Sequence, residues 1–223
     1  MQKYALLDWD NTVRKGYTLY SWVDYLHKCN IIDTQLQENL VDLKYRYIKK
    51  KITHDQYAER ACAEYAKAMR GKRIGVVDEI MTDYMKIDQK QIFSYIYELL
   101  SRLVQENIDV IVISGAPSRI LEQYKQKFCL KKIYAFKEEV KEGKFTGKVT
   151  CNYGLNKYKK VRELIQSYEA YPFLALGDSS SDIPMLDNSK YSICVGNKLR
   201  KKEYWNIDPQ KPIEEILSQC LQE

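Results

Sequence analysis

Residues 4–12 read Tyr-Ala-Leu-Leu-Asp-Trp-Asp-Asn-Thr, and the stretch turns from apolar to acidic in one step. So short an apolar run, ending at Asp8, reads as a buried strand. Asp8 and Asp10 stand two apart, so in an extended chain they point to the same side. Open α/β sheets bind their ligands just outside the carboxyl ends of their strands, where this pair falls. A loop with two surface acids and a helix cap is the plainer alternative. The rest of the chain bears on the choice.

The same step recurs twice. Residues 108–113 (IDVIVI) form a β-branched run that stops at Ser114-Gly115-Ala116-Pro117. Pro117 suits the first turn of a helix, expected to run to about residue 128. Ser114 is then either an ordinary N-cap or, with the backbone N–H groups behind it beginning at Gly115, a holder of a phosphate oxygen. Residues 172–176 form a third run, followed by Gly177-Asp178-Ser179-Ser180-Ser181-Asp182. Helices are expected over 91–106, 156–168, 183–186 and 212–220. Strands are expected over 133–136 and 191–195, with two more short ones around a Glu142-Gly143 turn. Strands alternating with helices imply an α/β fold with a doubly wound parallel sheet.

Residues 17–86 have another character. They contain no proline, and Trp22, Tyr25 and Leu26, then Leu40, Leu43, Tyr47 and Ile48, recur at helical spacing. Thr53 is a candidate N-cap for a helix starting at His54-Asp55. The division that follows is an α/β core of residues 1–15 and 88–223 and a helical insert of residues 16–87. The insert opens on Tyr17, Tyr20, Trp22 and Tyr25. These either pack the helices or form a wall able to stack a ring or hold a quaternary amine.

Composition narrows the function. The chain has 223 residues, 45% hydrophobic and 30% charged, enough for a full core without staples. No apolar stretch approaches the length of a membrane span and no signal-peptide pattern opens the chain. Six scattered cysteines without a C-x-x-C pair fit reduced thiols in a cytoplasmic protein. Two histidines argue against a multi-His zinc site. The net charge of +6 is spread over short basic runs at 49–51, 131–132, 157–160 and 200–202. Solvated helix faces explain these runs, and no nucleic-acid partner is expected.

Three strand ends thus offer acids or hydroxyls to one rim. Asp8, Asp178 and Asp182 together repel unless a cation sits among them, and an all-oxygen donor set favours Mg²⁺. Lys157, at the start of the helix before the third strand, either faces solvent like its neighbours Lys159 and Lys160 or neutralises a carboxylate and a phosphate oxygen.

These residues resemble the haloacid dehalogenase (HAD) superfamily, and within it the phosphoserine-phosphatase-like subclass IB. The resemblance rests on DWDNT at 8–12, ISGA at 113–116, Lys157 and GDSSSD at 177–182, in that order. EGKFTGKV at 142–149, GDSSSDIPML at 177–186 and the position of the insert, where this subclass carries a cap domain, add to it. The resemblance implies a Rossmann-like core with a helical cap after the first strand. It also implies a Mg²⁺-dependent phosphatase acting on a small phosphomonoester. Asp8 would be the nucleophile that becomes an aspartyl-phosphate, and Asp10 the acid and base. Ser114, Gly115 and Lys157 would hold the phosphoryl oxygens. Asp8, the backbone carbonyl of Asp10 and Asp178 would ligate Mg²⁺, with Asp182 supporting them from behind. A phosphomutase using the same site and a phosphate-binding module without turnover remain alternatives, and monomer and homodimer are both open. Tyr17 stands nine residues after Asp8, where phosphoserine phosphatases carry the acid that reads the substrate's amine.

Overall fold

The computed structural model describes residues 2–196, 199 and 201–221. The centre of the molecule is β1 (Tyr4–Leu7), all four residues of which are buried. It pairs in parallel with β2 (Asp109–Pro117) on one side and β5 (Leu174–Gly177) on the other. Outward from β2 lie β3 (Leu130–Lys141) and β4 (Lys144–Cys151); outward from β5 lie β6 (Tyr191–Val195) and β7 (Trp205–Ile207). The order is β4-β3-β2-β1-β5-β6-β7, parallel except for the β3–β4 hairpin. The chain leaves β1 for one half of the sheet and later returns to start the other half beside it. That reversal opens a crevice at the carboxyl ends of β1, β2 and β5.

Strand alternation supplies both faces of the sheet. Tyr4, Leu6, Ile111, Ile113 and Ala175 point to α7 (Lys157–Tyr168) and α8 (Ile183–Leu186). Ala5, Leu7, Val110, Val112 and Leu176 point to the opposite face, which carries α5 (Tyr95–Gln105) and α6 (Ser118–Glu122). Such side chains are fully enclosed, and truncating one, as in Leu6→Ala, typically costs about 2–5 kcal/mol. The expected α/β architecture, with helices on both faces of a mostly parallel sheet, is the one observed.

Between β1 and α5 run α1 (Thr18–Lys28), α2 (Thr34–Ile48), α3 (His54–Met69) and α4 (Ile74–Asp88). Thr53 caps α3 in a full capping box with Gln56. Buried residues of these helices, among them Trp22, Leu26, Tyr65 and Tyr84, join the apolar cluster on the α5 side of the sheet. The run enters and leaves at one place: the Lys15 N–H donates to the Gln91 carbonyl at 2.8 Å and the Phe93 N–H to the Val13 carbonyl at 3.1 Å. There Arg14 Nε donates to Asp88 Oδ1 at 2.7 Å, both residues being buried. Tyr84 and Tyr124 donate their hydroxyls to the same carboxylate. A further attachment links the α3–α4 connection to the β3–β4 hairpin, through Gly71 and Lys72 to Phe145 and Ile74 to Gly143.

Several expectations need correcting. The helix expected from Pro117 to about residue 128 stops at Glu122 and continues as turns, with the backbone left-handed at Cys129. The strand expected at 133–136 is twelve residues long, because its outer half pairs with β4 despite its charged side chains. The helix expected from residue 91 begins at Tyr95. β7 was not expected at all: three residues carry no readable periodicity. Lysines 49–51, 131, 132, 159, 201 and 202 are exposed, as solvated faces require, whereas Lys157 is buried. Arg200 of the last basic run lies outside the described residues. Among the described residues no helix is long and apolar enough to cross a membrane.

Candidate active site

The crevice is furnished by the ends of three adjacent strands. β1 runs straight into Asp8, whose N–H donates to the Leu176 carbonyl of β5 at 3.0 Å and so continues the sheet for one more residue. The residue is only 7% exposed. Lys157 is the first residue of α7, a helix capped by Asn156 Oδ1, which accepts from the Lys159 N–H at 3.1 Å. From there Lys157 Nζ reaches Asp8 Oδ1 at 2.6 Å and Asp182 Oδ1 at 2.7 Å. The other oxygen of Asp182 accepts from the N–H groups of Asp178 and Ser179 at 3.0 and 2.9 Å and from the Ser179 hydroxyl at 3.0 Å. Asp182 is therefore held on both oxygens, and its close approach requires glycine at 177: a Cβ there would sit 2.3 Å from Asp182 Cβ.

Asp8, Asp178 and Asp182 each offer a carboxylate oxygen, and these oxygens lie within 4.8 Å of one another. All three residues are buried, and Lys157 bridges two of them. Burial, then the charges of Asp182 and Asp178, push the Asp8 carboxyl well up, against the pull of Lys157. Burial alone would depress Lys157, yet Asp182 and Asp8 outweigh it and raise its pKa, so it stays an ammonium. Three buried carboxylates gather here, and Lys157 bonds to two of them. A hard divalent cation fits both the charge and the oxygen donors, so the residues present suit Mg²⁺. Asp182 has both oxygens engaged, whereas the lysine takes only Oδ1 of Asp8.

Asp10 is brought to the same crevice but not into the carboxylate cluster. Its Oδ1 accepts from the backbone N–H of Thr18 at 2.9 Å and from the Thr18 hydroxyl. Thr18 is the first residue of α1, so Asp10 caps that helix from eight residues upstream, at the end where the dipole favours an anion. Burial pushes the Asp10 carboxyl up to about 6, while the Thr18 bonds and Arg14 pull it back. Ser114 is buried near the end of β2, its hydroxyl accepting from the Ala116 N–H at 3.1 Å, and with Gly115 it borders the same cavity.

Two neighbours of the site escaped the sequence reading. Gly154 packs directly on Gly115: a Cβ on Gly154 would fall 2.5 Å from Gly115 Cα. Asn152 fixes that contact, its Oδ1 accepting from the Gly154 N–H at 3.0 Å and its amide donating to Cys62. A lone glycine after a strand was the only signal. Of the expected aromatic wall, Tyr17 and Tyr20 do border the cavity. Trp22 and Tyr25 do not: Trp22 is buried against Tyr84 with its Nε1 donating to Tyr65, and Tyr25 packs on both rings. Tyr47, His54 and Tyr57, from the end of α2 and the start of α3, complete the wall instead.

Comparison with known proteins agrees with this geometry. No curated protein matches the chain. Among solved structures, a protein of unknown function from Bordetella pertussis Tohama I superposes with a TM-score of 0.78 at 16% identity, over 94% of this chain and 99% of the other. A phosphoserine phosphatase captured as a phospho-aspartyl intermediate analogue gives 0.69 at 18%, over 98% of each chain. A phosphoserine phosphohydrolase-like protein from Francisella tularensis subsp. tularensis SCHU S4 gives 0.66 at 15%, over 98% and 99%. At such identities these likenesses establish the fold. The model of the haloacid dehalogenase-like hydrolase family matches residues 5–187, which span the strand before Asp8, the insert and the helix after Asp182, and the chain belongs to that family.

Proposed function

We infer that the protein is a Mg²⁺-dependent phosphatase that hydrolyses a small phosphomonoester through an aspartyl-phosphate on Asp8. The observation that carries this reading is Lys157, buried and bonded at once to Asp8 and Asp182 beside a third buried carboxylate. A lone carboxylate and a phosphate dianion repel, and this arrangement offsets that repulsion with a fixed ammonium. When bound, Mg²⁺ supplies the remaining charge compensation and aligns the phosphoryl group; Asp8, the Asp10 backbone carbonyl and Asp178 would hold it.

The chain's own residues then perform two displacements. Asp8 forms a bond to phosphorus as the bond from phosphorus to the ester oxygen breaks, and Asp10 gives the leaving oxygen its proton. Lys157, Ser114 and the backbone at Gly115 bind the phosphoryl oxygens. Asp10, now a carboxylate, takes a proton from water, whose oxygen attacks phosphorus. Inorganic phosphate leaves, Asp8 is restored, and Asp10 is protonated for the next cycle. An acid poised near 6 suits both halves of this exchange at neutral pH. Residues 16–87 act as a helical cap over the crevice, and the chemistry calls for no nucleic acid or membrane partner.

The test is phosphate release from acetyl phosphate and p-nitrophenyl phosphate, with Mg²⁺ and with a chelator. Release that depends on Mg²⁺, together with an acid-stable trap of phosphorylated Asp8 in quenched reactions, is expected. Turnover that is indifferent to chelation would sink the reading.

A further inference from the structure

The cavity above Asp8 encloses about 260 Å³ and has two unlike halves. One is the carboxylate and lysine end already described. The other is built by the helical insert, from Tyr17, Leu19, Tyr20, Tyr47, His54, Tyr57 and small side chains such as Ala58. Among the described residues that line this second half there is no aspartate, glutamate, lysine or arginine.

Two of its four tyrosine hydroxyls are already committed. The hydroxyls of Tyr20 and Tyr57 bond to each other, and Tyr20 also reaches the Leu40 carbonyl at 3.4 Å. Asn152, on the boundary, is committed to Cys62 and Gly154. Burial, the largest cause, raises the pKa of both Tyr20 and Tyr57, so both remain neutral phenols. What this half offers is ring surface. Tyr47 and Tyr57 are stacked, centroids 5.0 Å apart and planes 12° from parallel, and Tyr17 and Tyr20 lie 6.2 Å apart.

A zwitterionic leaving group would bring an ammonium and a carboxylate into this space with no charged partner for either, and a polyol would lose hydration without replacement. An aromatic ring loses little water and gains stacking on the tyrosines. We propose that the alcohol released by this enzyme is uncharged and aromatic, selected by the tyrosine-lined half of the cavity. The inference rests on the phosphatase reading and adds the substrate class. Tyr17, at the position where an amine-reading acid would stand, is part of the surface that makes the choice.

The experiment compares kcat/KM with Mg²⁺ for acetyl phosphate, which engages the phosphate end, and for four esters: 2-phenylethyl phosphate, phosphoserine, glucose 6-phosphate and phosphocholine. The expected result is a preference for 2-phenylethyl phosphate of at least about tenfold over phosphoserine and glucose 6-phosphate, and a smaller one over phosphocholine, whose quaternary amine the ring faces can also hold. In Tyr47→Ala, a half-exposed rim position, the ratio of 2-phenylethyl phosphate to acetyl phosphate should fall about tenfold. Phosphoserine, glucose 6-phosphate or phosphocholine matching or exceeding the aromatic ester would overturn the inference and leave the phosphatase reading standing. An unchanged ratio in Tyr47→Ala and in Tyr57→Leu would overturn it equally. Absence of phosphate release from every compound, acetyl phosphate included, would sink the phosphatase reading itself.

Discussion

Two clusters of buried charge lie at the two ends of the segment that follows β1, and they are built on opposite rules. In the junction cluster, Asp88 meets Arg14 one to one, and the phenols of Tyr84 and Tyr124 satisfy the remaining acceptor positions. Arg14 spends its other nitrogens on the Lys15 carbonyl and Ser21. In the crevice, Lys157 bonds to both Asp8 and Asp182, and a third buried acid, Asp178, lies beside them. A balanced cluster is complete as it stands and holds chain segments together. One that gathers several carboxylate oxygens within reach of a single point can be completed by a cation. The comparison separates a buried ion pair that shapes the fold from one that awaits chemistry, although both look alike as acids near bases.

The sharpest way to break the contrast is to alter one acid in each cluster. Asp8→Asn should lower Mg²⁺-dependent phosphate release by at least about 10³-fold while far-UV circular dichroism stays unchanged. Substantial residual turnover would remove Asp8 from the nucleophile's role. Asp88→Ala should do the reverse, leaving Arg14 buried and uncompensated at a cost of about 3–5 kcal/mol, read by urea unfolding. If Asp88→Ala unfolds at the wild-type denaturant concentration, the junction is not the clamp its geometry describes.

Between the clusters lies Thr18, which ties Asp10 to the start of α1. Thr18→Val keeps the backbone bond to Asp10 and deletes the hydroxyl bond, so kcat should fall about tenfold with little change in Tm. An equal loss in stability and no loss in kcat would make Thr18 a packing residue only. The smallest effect is expected at Glu138, a buried acid belonging to neither cluster. Its Oε1 has no hydrogen-bond partner among the described residues. Burial raises it above its ordinary 4.5, with its own backbone and Tyr65 pulling part of the way back. The folded chain therefore holds this proton in a pH range where the unfolded chain has lost it. Glu138 is thus neutral to stability below about 4.5 and increasingly unfavourable as pH rises through its folded pKa. Glu138→Gln should stabilise by about 1 kcal/mol at pH 8 and by nothing at pH 4. A gain that is the same at both pH values would show that charge is not its cause.

The sequence was most legible where one residue type decides a local outcome. The apolar run before Asp8, the β-branched run over 108–113 and Thr53 as a cap are such cases, because pattern, period and capping act within a few residues. It was least legible where charge and length mislead, as in the outer half of β3, whose lysines and glutamates look like a loop, or in β7. Candidate site residues on strand ends were readable because topology gathers strand ends. The junction pair was not: 74 residues separate Arg14 from Asp88, and neither carries a motif. Tyr47, His54 and Tyr57 were missed for a related reason. A helical period says which residues share a stripe, not which end of the stripe meets a cavity formed by other elements. Trp22 and Tyr25, which stood nearer to Asp8 in sequence, were taken up by the core.

The bond between Lys15 and Gln91 has a consequence for how such chains diversify. An excursion of more than seventy residues departs and returns within one backbone hydrogen bond, so at that point it closes like a turn, while its helices also pack on the sheet and bond to the β3–β4 hairpin. Changes confined to its exposed surfaces leave that closure intact. The carboxylates, the lysine and the strand ends stay in the host, and the tyrosines travel with the excursion. The cavity's tyrosine face can thus vary with residues of the excursion, provided those that hold Asp10 and fill the shared core are kept.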